Sequence, residues 1–138
     1  MIRIVKEGRG TLEKILTFQL QEKEYEKLER IAGNMRIKLQ TVGKESFYQT
    51  IGDLLEQKDN SLAQSYSGTA VTESMLVMDG FSDKRLDLLL KSLKSNQFAV
   101  DFKAVTTEVN KKWTVMQMYL EMEKERNAYR QMLEEQKK

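Results

Sequence analysis

Residues 75–82 read Met75-Leu76-Val77-Met78-Asp79-Gly80-Phe81-Ser82, and this stretch decides the fold. Four apolar residues in a row, with no polar alternation, suit a strand buried on both faces. Asp79-Gly80 is turn chemistry, because glycine enters left-handed backbone without a Cβ penalty. Ser82 is a good helix N-cap. Phe81 just before it and Leu86 just inside form a hydrophobic staple. A strand, a turn and a capped helix start therefore follow one another directly.

The pattern continues outward. Leu86, Leu89, Leu90 and Leu93 share one helical face, which ends near Ser95-Asn96. Phe98–Val105 then reads as an amphipathic strand, with Val100, Phe102 and Ala104 opposite Asp101 and Lys103. A long helix is predicted from Thr114 toward the C-terminus. Thr114 with Gln117 has the capping-box layout, in which hydroxyl and amide side chains satisfy each other's backbone N–H groups.

Upstream, the same order appears. Lys14–Gln19 reads as a strand. Leu20 and Tyr25 flank Gln21 as a staple would, but glutamine is a poor cap, so this helix start should fray. Tyr25, Leu28, Ile31 and Ala32 make its apolar stripe, and Gly33-Asn34 reads as a left-handed stop. Met35–Val42 alternates, with Met35, Ile37 and Leu39 opposite Arg36, Lys38 and Gln40. A short helix with Ile51, Leu54 and Leu55 is expected after Thr50, capped as at Thr114 but with the shorter Asp53 as partner.

The chain thus says nearly the same thing over Ile15–Asp53 and over Leu76–Gln117, the pattern of an internal duplication. The fold class expected is α/β: a four-stranded sheet built from two βαβα repeats, with helices packed on both faces. The apolar first and third strands belong in the centre and the alternating ones at the edges, giving the order 2-1-3-4. We expect a single domain over 1–138. Within it, 1–13 is a flexible or edge segment, 14–55 the first unit, 56–74 a linker loop rich in Ser, Thr and Gln, and 75–138 the second unit with its extended helix.

Composition narrows the chemistry. The chain has 138 residues, 40% hydrophobic and 32% charged, with a net charge of +2. Charge is even along it: residues 1–60 hold 11 Lys/Arg and 10 Asp/Glu, and 61–138 hold 12 and 11. No basic or acidic block points to nucleic acid or to a membrane surface. Cysteine and histidine are both absent, which removes thiolate chemistry, the usual proton shuttle near neutral pH and the commonest metal ligands. No cofactor, metal set or catalytic residue is expected. No apolar run is long enough to span a bilayer and none opens the chain as a signal peptide, so the expected setting is cytoplasmic.

Three elements together resemble Domain of Unknown Function family 3783. They are Leu76-Val77-Met78-Asp79-Gly80-Phe81-Ser82-Asp83 with Leu86-Asp87-Leu88-Leu89, then Lys103-Ala104-Val105 with Thr107 and Asn110, then Trp113-Thr114. The resemblance covers about residues 75–122. The first half is similar to the segment that often precedes it, through Ile15–Gln19 and Tyr48-Gln49-Thr50-Ile51-Gly52. Asp79 stands where the family pattern has cysteine, so no thiol role carries over, and Glu108-Val109 replace Pro-Thr. The resemblance implies a small cytoplasmic α/β domain and carries no activity.

Two groups of residues are candidates for function. Asp79, Gly80 and Ser82, with Thr107, Asn110 and Trp113, are a candidate ligand-binding set at the strand C-terminal ends, where α/β proteins often bind ligands. The plainer reading is Asp/Gly turn chemistry, a Ser82 cap, and Trp113 packing on Met118 before the Thr114 cap. Met118, Met122, Tyr129, Met132 and Leu133 are a candidate interaction stripe on the last helix. Arg36, Lys38 and Lys103 could present a basic strand face to nucleic acid. The stacking aromatics such a surface needs are missing, so nucleic acid is disfavoured. The leading expectation is a non-catalytic binding or regulatory module that contacts another protein or a second copy of itself, as a homodimer. A small-ligand or enzyme-like site is the alternative.

Overall fold

The computed structural model describes residues 13–58 and 71–137. The N-terminal segment expected to be flexible or an edge lies outside the described residues up to position 12, as does 59–70 of the expected linker. By their contacts the described residues divide into a sheet unit, 13–43 and 71–106, and a helical unit, 44–58 and 107–137. Each takes pieces from both halves of the sequence.

The sheet unit runs β1 (Lys14–Phe18), α1 (Glu22–Met35), β2 (Lys38–Val42), β3 (Met75–Asp79), α3 (Asp83–Ser95) and β4 (Phe102–Val105), with α2 (Ile51–Leu55) falling in the other unit. The strand order is β2-β1-β3-β4, as read from the sequence, with the apolar strands central. Each β-α-β connection makes a parallel pair, β1 with β2 and β3 with β4, while β1 and β3 meet antiparallel. The middle residues of those two strands, Leu16 and Val77, pair with each other.

The core on one face joins Ile15, Leu76 and Met78 of the sheet to Leu28 and Ile31 of α1 and Leu89 and Leu93 of α3. Both crossover helices therefore lie on the same face. The residues that alternate with these, Leu16, Phe18, Met75 and Val77, are fully buried as well. Near-continuous burial of β3 is what an unbroken Met-Leu-Val-Met run requires. The exposed/buried alternation of β4 matches its Lys103 and Ala104.

Two strand boundaries differ from the sequence reading. The helix does not stop at Gly33-Asn34. It continues through Met35, whose side chain packs against the core, and turns at Arg36 in the left-handed region (φ 60°). The Arg36 and Ile37 N–H groups then bond back to the Gly33 and Ala32 carbonyls, a Schellman-like stop on a non-glycine residue. Likewise Phe98–Asp101 is not strand, because its backbone groups are committed elsewhere. The Ala99 N–H donates to Glu24 Oε1 (2.6 Å) and the Asp101 N–H to Ser74 Oγ (3.1 Å).

The helical unit holds a 3-10 turn (Lys44–Ser46), α2 (Ile51–Leu55), a second 3-10 turn (Asn110–Lys112) and α4 (Val115–Gln136). Thr50 and Thr114 face each other as an antiparallel bridge. The Ile51 N–H donates to the Trp113 carbonyl (2.9 Å) and the Val115 N–H to the Gln49 carbonyl (3.0 Å). The two helix starts are thereby clamped head to head. Each is capped by its threonine, but only Thr114 completes the capping box with Gln117, as the shorter Asp53 side chain led us to expect. Phe47 and Tyr119 stack at 5.7 Å in the interior of this unit.

Candidate functional site

The mixed sheet changes where a site can form. In an all-parallel sheet every strand ends on one edge, and the crevice there binds ligands. Here β1 and β3 are antiparallel, with Lys14 opposite Asp79. The C-termini of β1 and β2 are therefore at one end of the sheet and those of β3 and β4 at the other. No single C-terminal crevice gathers all four.

Within the sheet unit, Asp79, Gly80 and Ser82 are held by structural tasks. Asp79 Oδ1 accepts from Thr106 Oγ1 (2.6 Å), which ties the end of β3 to the residue after β4. Gly80 has φ 83°, a left-handed conformation that favours glycine. Ser82 Oγ accepts from the Arg85 N–H (3.2 Å) as the N-cap of α3. Phe81 and Leu86, the staple residues, both pack on the core.

Within the helical unit, Thr107 and Asn110 close on each other. The Thr107 N–H donates to Asn110 Oδ1 (2.8 Å) and the Asn110 N–H to Thr107 Oγ1 (3.0 Å). Asn110 is buried. Trp113 is half-buried, its N–H on the Asn110 carbonyl and its own carbonyl taken by Ile51. This loop is a self-satisfied turn that delivers the chain to the Thr114 cap.

The interaction stripe divides along α4. Met118 is buried (1% exposed), so it belongs to the packed interior of its unit, and Met122 is half-buried. From Lys124 to Lys137 all side chains but that of Arg126 are exposed. Tyr129, Met132 and Leu133 stand 58%, 47% and 39% exposed.

The three basic residues do not gather on one strand face. Arg36 is the left-handed helix stop, Lys38 is exposed on β2, and Lys103 is exposed on β4 at the opposite edge. Burial lowers the Lys14 ammonium below its ordinary value. Lys38, its partner across the β1–β2 pair, lowers it further, against an opposing pull from Asp79.

Sequence reading missed a well-connected polar group in the sheet unit. Arg85 makes a two-pronged ion pair with Glu13, Nε to Oε2 at 2.8 Å and Nη2 to Oε1 at 2.6 Å, and its Nη2 also donates to the Met35 carbonyl (2.6 Å). Glu13 is 8% exposed. Its carboxylate raises the already high Arg85 pKa. The only sequence signal was a lone Arg in the first turn of α3, which periodicity cannot separate from a solvated residue. A polar cleft of about 420 Å3 lies at the other end of the sheet, between Gln19, Glu24, Ala99 and Asp101. Its carboxylates are engaged by backbone: Glu24 accepts from Ala99, and Asp101 Oδ2 accepts from the Ser74 N–H (2.8 Å). Among the described residues no three Asp or Glu side chains gather as metal ligands would.

Residues 74–129 match the family described as a domain of unknown function (DUF3783), the family the signature resembles. No curated protein and no solved structure gives a significant match to the chain. No helix among the described residues is long and apolar enough to cross a membrane.

Proposed function

We propose that the protein is a non-catalytic binding or regulatory module acting through protein–protein contact, with the outer part of α4 as its contact surface and a second copy of the chain as partner. One observation carries this reading. Tyr129, Met132 and Leu133 are exposed together on a helix that is exposed on almost every side beyond Glu123. Isolated helical segments of so few turns are marginal in water and gain most of their stability from packing.

The spacing of Met122, Tyr129 and Gln136, with Met132 between, is that of a narrow two-stranded seam. In a parallel pair Glu121 of one copy would fall beside Arg126 of the other, so charge as well as apolar surface suits self-association. The repeated order of elements fits an ancestral duplication, and a cytoplasmic setting suits a chain without cysteine.

Sedimentation velocity of the full chain tests the reading. We expect a concentration-dependent dimer that Tyr129→Glu with Leu133→Glu converts to monomer without loss of helix signal from the sheet unit. A monomer at all concentrations up to the millimolar range overturns the second copy as partner.

A further inference from the structure

The two halves of the sheet unit differ where helix passes into strand. In the first half Ile37 leads directly into Lys38, which opens β2. In the second, Ala99, Val100 and Asp101 stand between Phe98 and Phe102, which opens β4. The flanks correspond. The Ile37 N–H bonds to the Ala32 carbonyl and the Phe98 N–H to the Leu93 carbonyl. The Lys38 N–H bonds to the Glu13 carbonyl and the Phe102 N–H to the Ser74 carbonyl. Ala99–Asp101 is therefore an insertion into a shared frame, and the frame does not require it.

The insertion replaces one contact with a cavity. At the compact junction Arg85, the third residue of α3, pairs directly with Glu13, the residue before β1. The corresponding residues at the extended junction are Glu24, third in α1, and Ser74, just before β3. These two hold opposite ends of the insertion. Glu24 Oε1 accepts from the Ala99 N–H (2.6 Å), and Asp101 Oδ2 accepts from the Ser74 N–H (2.8 Å) and hydroxyl (3.2 Å). The cleft of about 420 Å3 opens here, with Gln21, Glu24, Ser74, Phe98 and Asp101 in its lining. That volume lies within the usual range of small-ligand sites.

The lining selects the charge and shape of an occupant. It includes two carboxylates and no cationic side chain. Lys27, outside the lining, sits 3.3 Å from Glu24 Oε2 and also donates to the Gln97 carbonyl (3.1 Å). Asp101 has no such cation, and its Oδ1 accepts no hydrogen bond among the described residues. The backbone bonds fix both carboxylates in place while leaving acceptor capacity, since each carboxylate offers about four lone-pair sites. A divalent cation would need about six oxygens, and no third acidic side chain joins these two. A guanidinium suits the cleft better. It is planar and weakly hydrated, its five donors can share oxygens that are already bonded, and its face stacks on an aromatic ring such as that of Phe98.

We propose that this cleft binds an alkyl guanidinium, which takes from outside the chain the place that Arg85 fills at the other junction. Asp101 Oδ1 and Glu24 accept its N–H groups, and Phe98 flanks its plane. The site needs only the sheet unit, so it is separate from the α4 surface.

The test is an amide NMR titration of the full chain with two guanidinium sources: agmatine, a free small molecule, and acetyl-Gly-Arg-Gly-amide, a side chain on a peptide. Butylamine and acetyl-Gly-Lys-Gly-amide are the ammonium controls. We expect saturable shifts centred on Ser74 and Ala99–Asp101, about tenfold stronger binding of guanidinium than of ammonium, and weakening with salt. Whichever source binds more tightly identifies a free ligand or a partner's arginine. Asp101→Asn with Glu24→Gln keeps the acceptors for Ser74 and Ala99 but removes the charge, and should weaken binding about tenfold. Glu24→Arg, which supplies a guanidinium from the chain itself, should abolish it. Absence of saturable shifts at these amides with both sources, equal binding of the ammonium controls, or undiminished binding by the doubly neutralised variant would each overturn the proposal.

Discussion

The two halves of the sheet unit use one latch position with opposite chemistry. The third residue of α1 is Glu24, which accepts from the Ala99 N–H just beyond the end of α3. The third residue of α3 is Arg85, which donates to the Met35 carbonyl at the end of α1. Each helix start thus reaches the far end of the other helix, one through an acceptor and one through a donor. The same correspondence recurs in the backbone. Gln19 and Gly80 both take positive φ between strand and helix, and Arg36 and Gln97 both do so just after the helix. The lesson is that the frame dictates where a polar tie or a left-handed residue must stand. The local sequence only chooses how the requirement is met.

If that is right, equivalent core positions should be worth the same. Leu28 and Leu89, the seventh residues of α1 and α3, are both fully buried. Replacing either by alanine should destabilise by about 2–5 kcal/mol, and urea midpoints should place the two within about 1 kcal/mol of each other. A much larger gap would break the equivalence.

The latches, in contrast, should differ. Arg85→Ala strands the buried Glu13 carboxylate and should cost about 2 kcal/mol, tempered because the Arg85 side chain is 37% exposed. Glu24→Ala should cost less in the same denaturation experiment, since the Ala99 N–H it leaves behind is exposed and Lys27, its ion-pair partner, keeps the Gln97 carbonyl.

Caps sharpen the contrast further. Ser82→Ala should lower stability by about 1 kcal/mol, whereas Gln21, which makes no side-chain cap bond, should gain about 0.5–1 kcal/mol on replacement by serine. Loss of stability in both would show that Gln21 has a task the cap geometry does not reveal. At the left-handed stops, Arg36→Gly and Gln97→Gly should each stabilise by about 0.5–1 kcal/mol, read as a rise in Tm.

The smallest effect is pH-dependent. The Ala99 N–H holds the Glu24 carboxyl below its ordinary pKa of 4.5. A depressed acid contributes its stability above that ordinary value and loses it as pH falls through the folded value. Glu24→Gln should therefore flatten the acid limb of the stability curve below about pH 4.5, with little change in the slope above it. An unchanged acid limb would remove Glu24 from the acid response.

Much of this architecture was legible beforehand. Apolar runs against alternating runs separated central strands from edge strands, because a strand with helices or sheet on both sides has no wet face to mark. The capped starts at Ser82, Thr50 and Thr114 were readable because an N-cap is local chemistry. What escaped was settled by distant groups. Gly33-Asn34 looked like a stop, but packing Met35 on the core carried the helix past it. Phe98–Asp101 looked like strand, but Glu24 and Ser74 claimed its N–H groups first. For the candidate sites the difficulty was similar. Asp79, Ser82, Thr107 and Asn110 are polar residues in turns, and only their partners reveal that they serve the turns themselves.

By itself the sequence determined the element order, the strand order and the capping residues, since these follow from hydrophobic period and from contacts a few residues apart. The tertiary structure alone decided that β1 and β3 run antiparallel, splitting the strand ends between the two ends of the sheet. It also decided which polar side chains tie one helix to the other. Those outcomes depend on where residues far apart along the chain meet, and no local pattern encodes that distance.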